Sequence, residues 1–214
     1  HAEGTDVGTP AISPDATRVA YGARRQDGMP LLWVRNLATG EARALAGTED
    51  AVMPFWSPDS RDVGFSAGGS LKRVPADGGP VQVITKGGSD QGATWAADGT
   101  IVFGANNELF RVSLTGGAVT SATRLQGADW GHYSPSFLPG GRRFLFTAKL
   151  WTTAGESGEQ GIYLGSLDSP EITRLLPDLS NAVYTPPGAL VFARNGTLTA
   201  VAFDVATGRI IGPA

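Results

Sequence analysis

The chain has 214 residues, of which 41% are hydrophobic and 17% charged, and its formal net charge is −3. This balance is typical of a globular protein, and the lack of a basic stripe argues against a nucleic acid partner. The absence of cysteine excludes disulfides, thiolate metal ligands and a cysteine nucleophile. No apolar run approaches the roughly 18 residues of a membrane-spanning helix, so we expect no membrane contact by this segment.

An internal repeat of about forty residues decides the predicted fold. Five segments align, each with a turn followed by an apolar strand: AISPDATRVAYGA, FWSPDSRDVGFSA, TWAADGTIVFGA, SFLPGGRRFLFTA and VYTPPGALVFAR. Each is followed by a second motif: LLWVRNLATGEARAL, SLKRVPADGGPVQVI, ELFRVSLTGGAVTSATRL, GIYLGSLDSPEITRLL and TLTAVAFDVATGRII. Apolar and polar residues alternate and glycine turns separate the runs, so each unit is predicted to hold four short strands.

Four-stranded sheets that repeat about every forty residues stack face to face around a common axis. The sequence therefore predicts one all-β domain over 1–214, a β-propeller of about five four-stranded antiparallel blades. The predicted blades cover approximately 9–47, 53–87, 92–127, 133–177 and 181–214. Whether five blades close the ring or belong to a larger ring of six or more stays open.

Two bulky positions recur in the predicted blades. The first-strand position holds Ile12, Trp56, Trp95, Phe137 and Tyr184. The second-strand position holds Tyr21, Phe65, Phe103, Phe146 and Phe192. We expect these side chains to form the layer between blades, because stacked sheets need large apolar residues there.

The stretch GFSAG at Gly64–Gly68 fits the pattern that presents the nucleophilic serine of many hydrolases. Ser66, however, stands at a repeat position that other blades fill with Gly22, Gly104, Thr147 and Ala193. A glycine-rich hairpin follows it, where a nucleophile elbow needs a helix. The histidines are His1 and His132 alone, and we predict no catalytic residue in the chain.

Metal and phosphate chemistry are not predicted either. Asp129 and His132 in ADWGHY are two candidate metal ligands, which is too few for a site. Asp15, Asp59 and Asp98 recur in turns, where a carboxylate accepts backbone N–H groups. Since no phosphate-binding glycine loop occurs, we predict no metal and no cofactor.

Irregular loops between blades are the predicted recognition surface, since variable loops on a rigid scaffold commonly carry binding. One of them is GADWGHY, which starts at Gly127. We expect a protein, peptide or small ligand to bind on this face. The predicted binding residues are Glu49, Asp50, Asp90, Gln91, Asp129, Trp130, His132 and Asn181.

SPD turns followed by an aromatic strand resemble the TolB-type, WD-repeat-like propeller. The segments PFWSPDSRDVGFSAGGSLKRVPADGGPVQVI, ATWAADGTIVFGANNELFRVSLTGG, GIYLGSLDS and SNAVYTPPGALVFARNGTLTAVAFD resemble the C-terminal extracytoplasmic propeller of bacterial membrane serine/threonine protein kinases. No HRD, DFG or nucleotide-binding glycine loop occurs here. The resemblance therefore implies a non-enzymatic sensor or scaffold, extracytoplasmic and part of a membrane-anchored protein.

Two alternative functions stay open at this point. The chain could be the substrate-gating propeller of a prolyl-oligopeptidase-like serine peptidase whose hydrolase domain lies outside it. It could also be a propeller enzyme, such as a lyase or glycosidase, which would need convergent carboxylates or metal ligands at the axis. If five blades do not close the ring, exposed sheet faces favour self-association.

Overall fold

The computed structural model describes residues 9–24, 28, 30–88, 91–125, 127, 130–150 and 159–212. Within these ranges the chain forms twenty β-strands and no helix. The described part therefore contains no helical segment that could cross a membrane. The strands form five four-stranded antiparallel sheets arranged in a ring, which confirms the predicted all-β class and the five-bladed propeller.

Each blade takes four consecutive strands of the chain. Blade 1 contains β1 (Ala11–Ile12), β2 (Arg18–Arg24), β3 (Pro30–Asn36) and β4 (Ala42–Ala44). Blade 2 contains β5 (Val52–Trp56), β6 (Asp62–Ala67), β7 (Ser70–Pro75) and β8 (Gln82–Lys86). Blade 3 contains β9 (Ala93–Trp95), β10 (Thr100–Ala105), β11 (Glu108–Ser113) and β12 (Thr120–Ser121). Blade 4 contains β13 (Trp130–Phe137), β14 (Arg143–Leu150), β15 (Gly161–Ser166) and β16 (Thr173–Leu176). Blade 5 contains β17 (Val183–Thr185), β18 (Ala189–Arg194), β19 (Thr197–Asp204) and β20 (Arg209–Ile210).

The hydrophobic core is divided among the junctions between consecutive blades. At each of four junctions, an aliphatic residue from the third strand of one blade and a phenylalanine from the second strand of the next belong to the same core cluster. The pairs are Leu32 with Phe65, Leu71 with Phe103, Leu109 with Phe146, and Ile162 with Phe192. Each buried side chain contributes about 1.5–3 kcal/mol to the free energy of unfolding, so the recurring positions hold neighbouring blades together.

The turns between first and second strands confirm the predicted role of the aspartates as turn formers. Ser13 Oγ donates to Asp15 Oδ1 at 2.6 Å, and the same oxygen accepts the Thr17 backbone N–H at 3.0 Å. The bond from Ser13 is the main reason that the pKa of Asp15 falls from 3.8 to about 2. Blade 2 repeats the arrangement, with Ser57 Oγ donating to Asp59 at 2.7 Å.

Ser66, the serine of the GFSAG pattern, lies inside β6 and pairs with Leu71 of β7. The chain leaves β6 through a turn at Gly68 and Gly69 and enters β7 directly. Residues 62–75, all of which are described, thus form a hairpin without the strand–turn–helix context of a nucleophile elbow. Ser66 has the setting of a sheet position, as the repeat alignment predicts.

The segment predicted as an irregular loop from Gly127 differs from the expectation, because β13 already begins at Trp130. Trp130 pairs with Leu150 and His132 with Ala148 of β14. Trp130 is only 2% exposed. Extending the strand to Trp130 buries this large side chain in the core, whereas a loop at the rim would leave it in solvent. With eight residues, β13 is longer than the first strands of the other blades.

Candidate functional site

The five first strands, β1, β5, β9, β13 and β17, surround a channel along the axis. Each pairs with one other strand, so its second edge faces the channel. A cavity of about 720 Å³ lies near the turns that join first and second strands. A second cavity, of about 480 Å³, lies where the chain enters the first strands. We call this second cavity, lined by residues of all five blades, the channel mouth.

One residue per blade occupies the same repeat position at the channel mouth. The five are Thr9, Met53, Gly92, Ser134 and Asn181. Each stands three positions before the first-strand aromatic or aliphatic position of its blade. The repeat therefore brings two hydroxyls, an amide, a thioether and a glycine together in one ring.

Three residues of this ring have left-handed backbone conformations. The φ angles are 50° at Met53, 86° at Gly92 and 52° at Ser134. Met53 and Ser134 lie at β-bulges, which take them out of the ladder with the second strand. A non-glycine residue in this conformation costs about 1–3 kcal/mol, and such strain clusters at ligand-binding sites.

The described residues that line the channel mouth carry no ionisable side chain. The next residue of each blade also lines the cavity, and these five are small or rigid, namely Pro10, Pro54, Ala93, Pro135 and Ala182. Larger apolar side chains such as Phe55 and Trp56, and the hydroxyls of Thr94 and Ser136, complete the wall. General acid–base or nucleophilic catalysis needs paired titratable groups, which this lining does not supply. The arrangement instead suits an uncharged ligand, with polar groups at the rim and mainly apolar surface beneath.

A polar cluster fixes one side of the mouth at the junction of blades 3 and 4. Gln91 Nε2 donates to Asn107 Oδ1 at 2.9 Å, and the Tyr133 hydroxyl donates to the same oxygen at 3.4 Å. The backbone carbonyl of Gln91 accepts the Ser134 N–H at 2.8 Å, and that of Asn107 accepts the His132 N–H at 2.9 Å. These bonds hold the bulge at Ser134 in place.

His132 and Trp130, two predicted binding residues, lie beneath the surface of this junction. The His132 side chain is 0% exposed, with Nδ1 2.8 Å from Thr123 Oγ1 and its ring centre 4.7 Å from that of Phe146. Nε2 has no hydrogen-bond partner among the described residues. Burial lowers the pKa of His132 from 6.5 to about 4, which keeps the ring neutral. A contribution of either residue to binding stays a prediction.

The other predicted binding residues have different positions. Glu49 and Asp50 are exposed between blades 1 and 2, and Asp50 lines a cavity of about 370 Å³ that shares Met53 with the channel mouth. Asn181 is exposed at the mouth itself. Asp90 and Asp129 lie outside the described residues. Their role in binding, like that of the whole set, stays a prediction.

Sequence reasoning missed four residues of the ring, Thr9, Met53, Gly92 and Ser134, while it included Asn181. The signal was present, because all five stand at one column of the repeat alignment. No group of three or more His, Asp or Glu among the described residues is arranged to hold a metal ion.

No family model matches the chain. The chain is 29% identical over 165 residues to the uncharacterized peptidase YuxL of Bacillus subtilis (strain 168), an alignment that covers 72% of this chain and 24% of that protein. It is 31% identical over 84 residues to the TolB homolog of Chlorobaculum tepidum, covering 37% and 19% of the two proteins. The chain thus spans a quarter or less of these relatives.

Solved structures show the same fold. TolB from Acinetobacter baumannii superimposes with a TM-score of 0.74 at 18% identity, covering 92% of this chain and 52% of that chain. The fold is that of a TolB-like β-propeller. The acylaminoacyl peptidase of Pyrococcus horikoshii superimposes with a TM-score of 0.60 at 15% identity, covering 98% of this chain and 39% of that chain.

Proposed function

We propose that this propeller is a non-catalytic binding domain that recognises an uncharged stretch of polypeptide at the channel mouth. The observation that carries the proposal is the ring of five repeat-equivalent residues above a wall without ionisable side chains. A ligand that enters this opening meets hydrogen-bonding groups first and apolar surface next, which is the usual composition of a binding cavity.

An extended peptide fits this chemistry better than a compact charged ligand. The inner edges of the first strands present backbone N–H and C=O groups, which an extended chain can pair with. Thr9, Ser134 and Asn181 add side-chain donors and acceptors at the rim. A charged ligand would lose its hydration without gaining an ion pair, so it is disfavoured.

An array of neutral and charged pentapeptides tests the proposal. Neutral peptides are expected to bind, and Asn181→Trp is expected to abolish their binding because the exposed Asn181 lies at the mouth. Val83→Trp is the matched control, since Val83 is 62% exposed on the outer strand β8. Equal loss of binding in both variants, or binding of charged peptides alone, would contradict the proposal.

Likeness to peptidases supports a second candidate, in which the channel admits peptides to a hydrolase domain elsewhere in a longer protein. The supporting observations are the 165-residue alignment with YuxL and the superposition on an acylaminoacyl peptidase. In that case a hydrolase domain should occur in the same open reading frame. Asn181→Trp should then slow the turnover of long peptides more than that of short ones.

The role of a sensor in a membrane-anchored receptor kinase stays a prediction, supported by the blade-specific segments that resemble kinase propellers. An extracytoplasmic location belongs to the same prediction and is supported by the TolB-like fold. A kinase domain and a membrane helix upstream in the open reading frame would support this role, and a hydrolase domain there would contradict it.

A further inference from the structure

A cavity of about 300 Å³ lies at the outer edge of the junction between blades 3 and 4, and we call it the outer cavity. It shares no residue with the channel mouth. Its lining includes β12, the outermost strand of blade 3, and the stretch 166–170, where β15 of blade 4 turns into β16. The polar lining residues include Arg111, Ser121 and Arg124 from blade 3 and Ser166, Asp168 and Ser169 from blade 4.

Positive charge exceeds negative charge on this lining, where Arg111 and Arg124 stand against the one carboxylate of Asp168. Arg142 already binds that carboxylate, because its Nε donates to Asp168 Oδ2 at 3.2 Å and its Nη2 donates to Oδ1. This hydrogen bonding is the largest cause that lowers the pKa of Asp168 below 3.8, and the charges of Arg142 and Arg111 add to it. Among the described residues, neither Arg111 nor Arg124 belongs to an ion pair.

The side chain of Arg111 is fixed by both walls of the outer cavity. Its Nε donates to Thr120 Oγ1 of β12 at 3.0 Å, and its Nη1 donates to the Leu167 backbone carbonyl at 3.0 Å. A guanidinium has more N–H donors than these two bonds use, so others can reach a ligand oxygen. Because the side chain is already ordered, binding would cost little of its conformational entropy.

Hydroxyl groups add further donors on both walls. Ser166 Oγ accepts the backbone N–H of Asp168 at 3.1 Å, and Ser169 Oγ accepts that of Glu171 at 3.2 Å. A hydroxyl that accepts a bond in this way still has its own hydrogen to donate. Ser121 supplies another hydroxyl from blade 3. The lining is therefore rich in hydrogen-bond donors, while its carboxylate is already bound by Arg142.

The corresponding junction of blades 1 and 2 has a cavity of about 510 Å³ in which the charges balance. Arg18 and Arg43 line it together with Glu41 and Asp77. Arg18 forms an ion pair with Asp77 at 3.3 Å, and Arg43 Nη1 donates to the Asp77 backbone carbonyl at 2.6 Å. Since Asp77 stands at the repeat position of Asp168, the excess of positive charge between blades 3 and 4 is not a requirement of the repeat.

We propose that the outer cavity binds a phosphate or sulfate group, either as the free ion or as an ester. Arginine suits such a group because its planar guanidinium can donate to two oxygens at once. A tetrahedral anion has enough oxygens to meet donors on both walls, whereas a carboxylate has only two. The donors come from separate stretches of the chain, which is why no phosphate-binding motif in the sequence indicates this site.

Isothermal titration calorimetry with inorganic phosphate, methyl phosphate and acetate at low ionic strength tests the proposal. Inorganic phosphate should bind at one site, and acetate should bind about 10-fold more weakly or less. Arg111→Ala and Arg124→Ala should each weaken phosphate binding about 10-fold or more, because each removes charge-assisted hydrogen bonds. Arg43→Ala is the matched control, since it removes the same charge from the cavity of blades 1 and 2, and it should bind phosphate like the wild type.

Arg124→Ala decides the test, because Arg124 is exposed and its removal should leave the far-UV circular dichroism unchanged. Equal phosphate affinity in the wild type and Arg124→Ala would overturn the proposal, as would an equal loss in Arg43→Ala or no binding of either phosphate compound. Methyl phosphate that binds as tightly as inorganic phosphate would support an ester as the ligand, and a clear preference for inorganic phosphate would support the free ion.

Discussion

Acidification should destabilise the propeller through His132. This side chain is fully buried beside Thr123, and burial holds its pKa at about 4 instead of 6.5. As the pH falls below 6.5 the unfolded chain takes up a proton on the imidazole, while the folded chain does so only near pH 4. Because the unfolded state binds more protons in this window, the free energy of unfolding decreases as the pH falls.

The size of the effect follows from the depression of the pKa. One pH unit inside the window is worth about 1.4 kcal/mol, so a pKa lowered from 6.5 to about 4 corresponds to a loss of about 3 kcal/mol. The contribution of the neutral His132 side chain to the free energy of unfolding is fully present above pH 6.5 and is lost as the pH falls to about 4. Asp15 affects the pH dependence of stability only in more acidic solutions, because its pKa is about 2 in the folded chain and its ordinary value is 3.8.

Urea unfolding followed by tryptophan fluorescence from about pH 7 to about pH 4.5 measures this dependence. His132→Gln should remove most of the slope of unfolding free energy against pH. Thr123→Val should lower stability but keep the slope, because the imidazole stays buried. Equal slopes in the wild type and His132→Gln would refute the argument that a buried neutral histidine causes the dependence.

The remaining predictions concern the core of the blades. Phe103→Ala should lower the free energy of unfolding by about 3–5 kcal/mol, because it empties a buried junction position; a loss under about 1 kcal/mol in urea unfolding would contradict that role. Gly64→Ala should cost more than about 2 kcal/mol, because the added Cβ would overlap the Phe55 ring. Gly22→Ala is its control, since the nearest atom there, the Ala51 carbonyl oxygen, is 3.6 Å away; equal thermal stabilities of the two variants would argue against the clash.

The repeated architecture could be predicted from the sequence because each blade uses the same positions for the same purpose. The second-strand position is one such case: Phe65 and Phe103 are buried at successive junctions, as their alignment predicts. Asp15 and Asp59 likewise form the turns that the SPD motif indicates. The turns depend on local chemistry and the junction positions recur at a fixed period, so turn motifs and periodicity suffice to find them.

The repeat alignment gives the position of the ring residues, but the backbone conformation and burial at the site were less predictable because they depend on pairing between strands. The left-handed backbone at Met53 and Ser134 follows from bulges in the paired strands, and neither residue type favours that conformation. The burial of His132 depends on β13 reaching back to Trp130 and pairing with β14.

Hydrogen–deuterium exchange, with and without the best-binding neutral pentapeptide, tests most directly whether the channel mouth is the recognition surface. The peptide should slow exchange in the first strands of several blades, namely Val52–Trp56, Ala93–Trp95, Trp130–Phe137 and Val183–Thr185. Exchange in the outer strands Gln82–Lys86 and Thr173–Leu176 should stay unchanged. Protection confined to the outer strands would contradict the account.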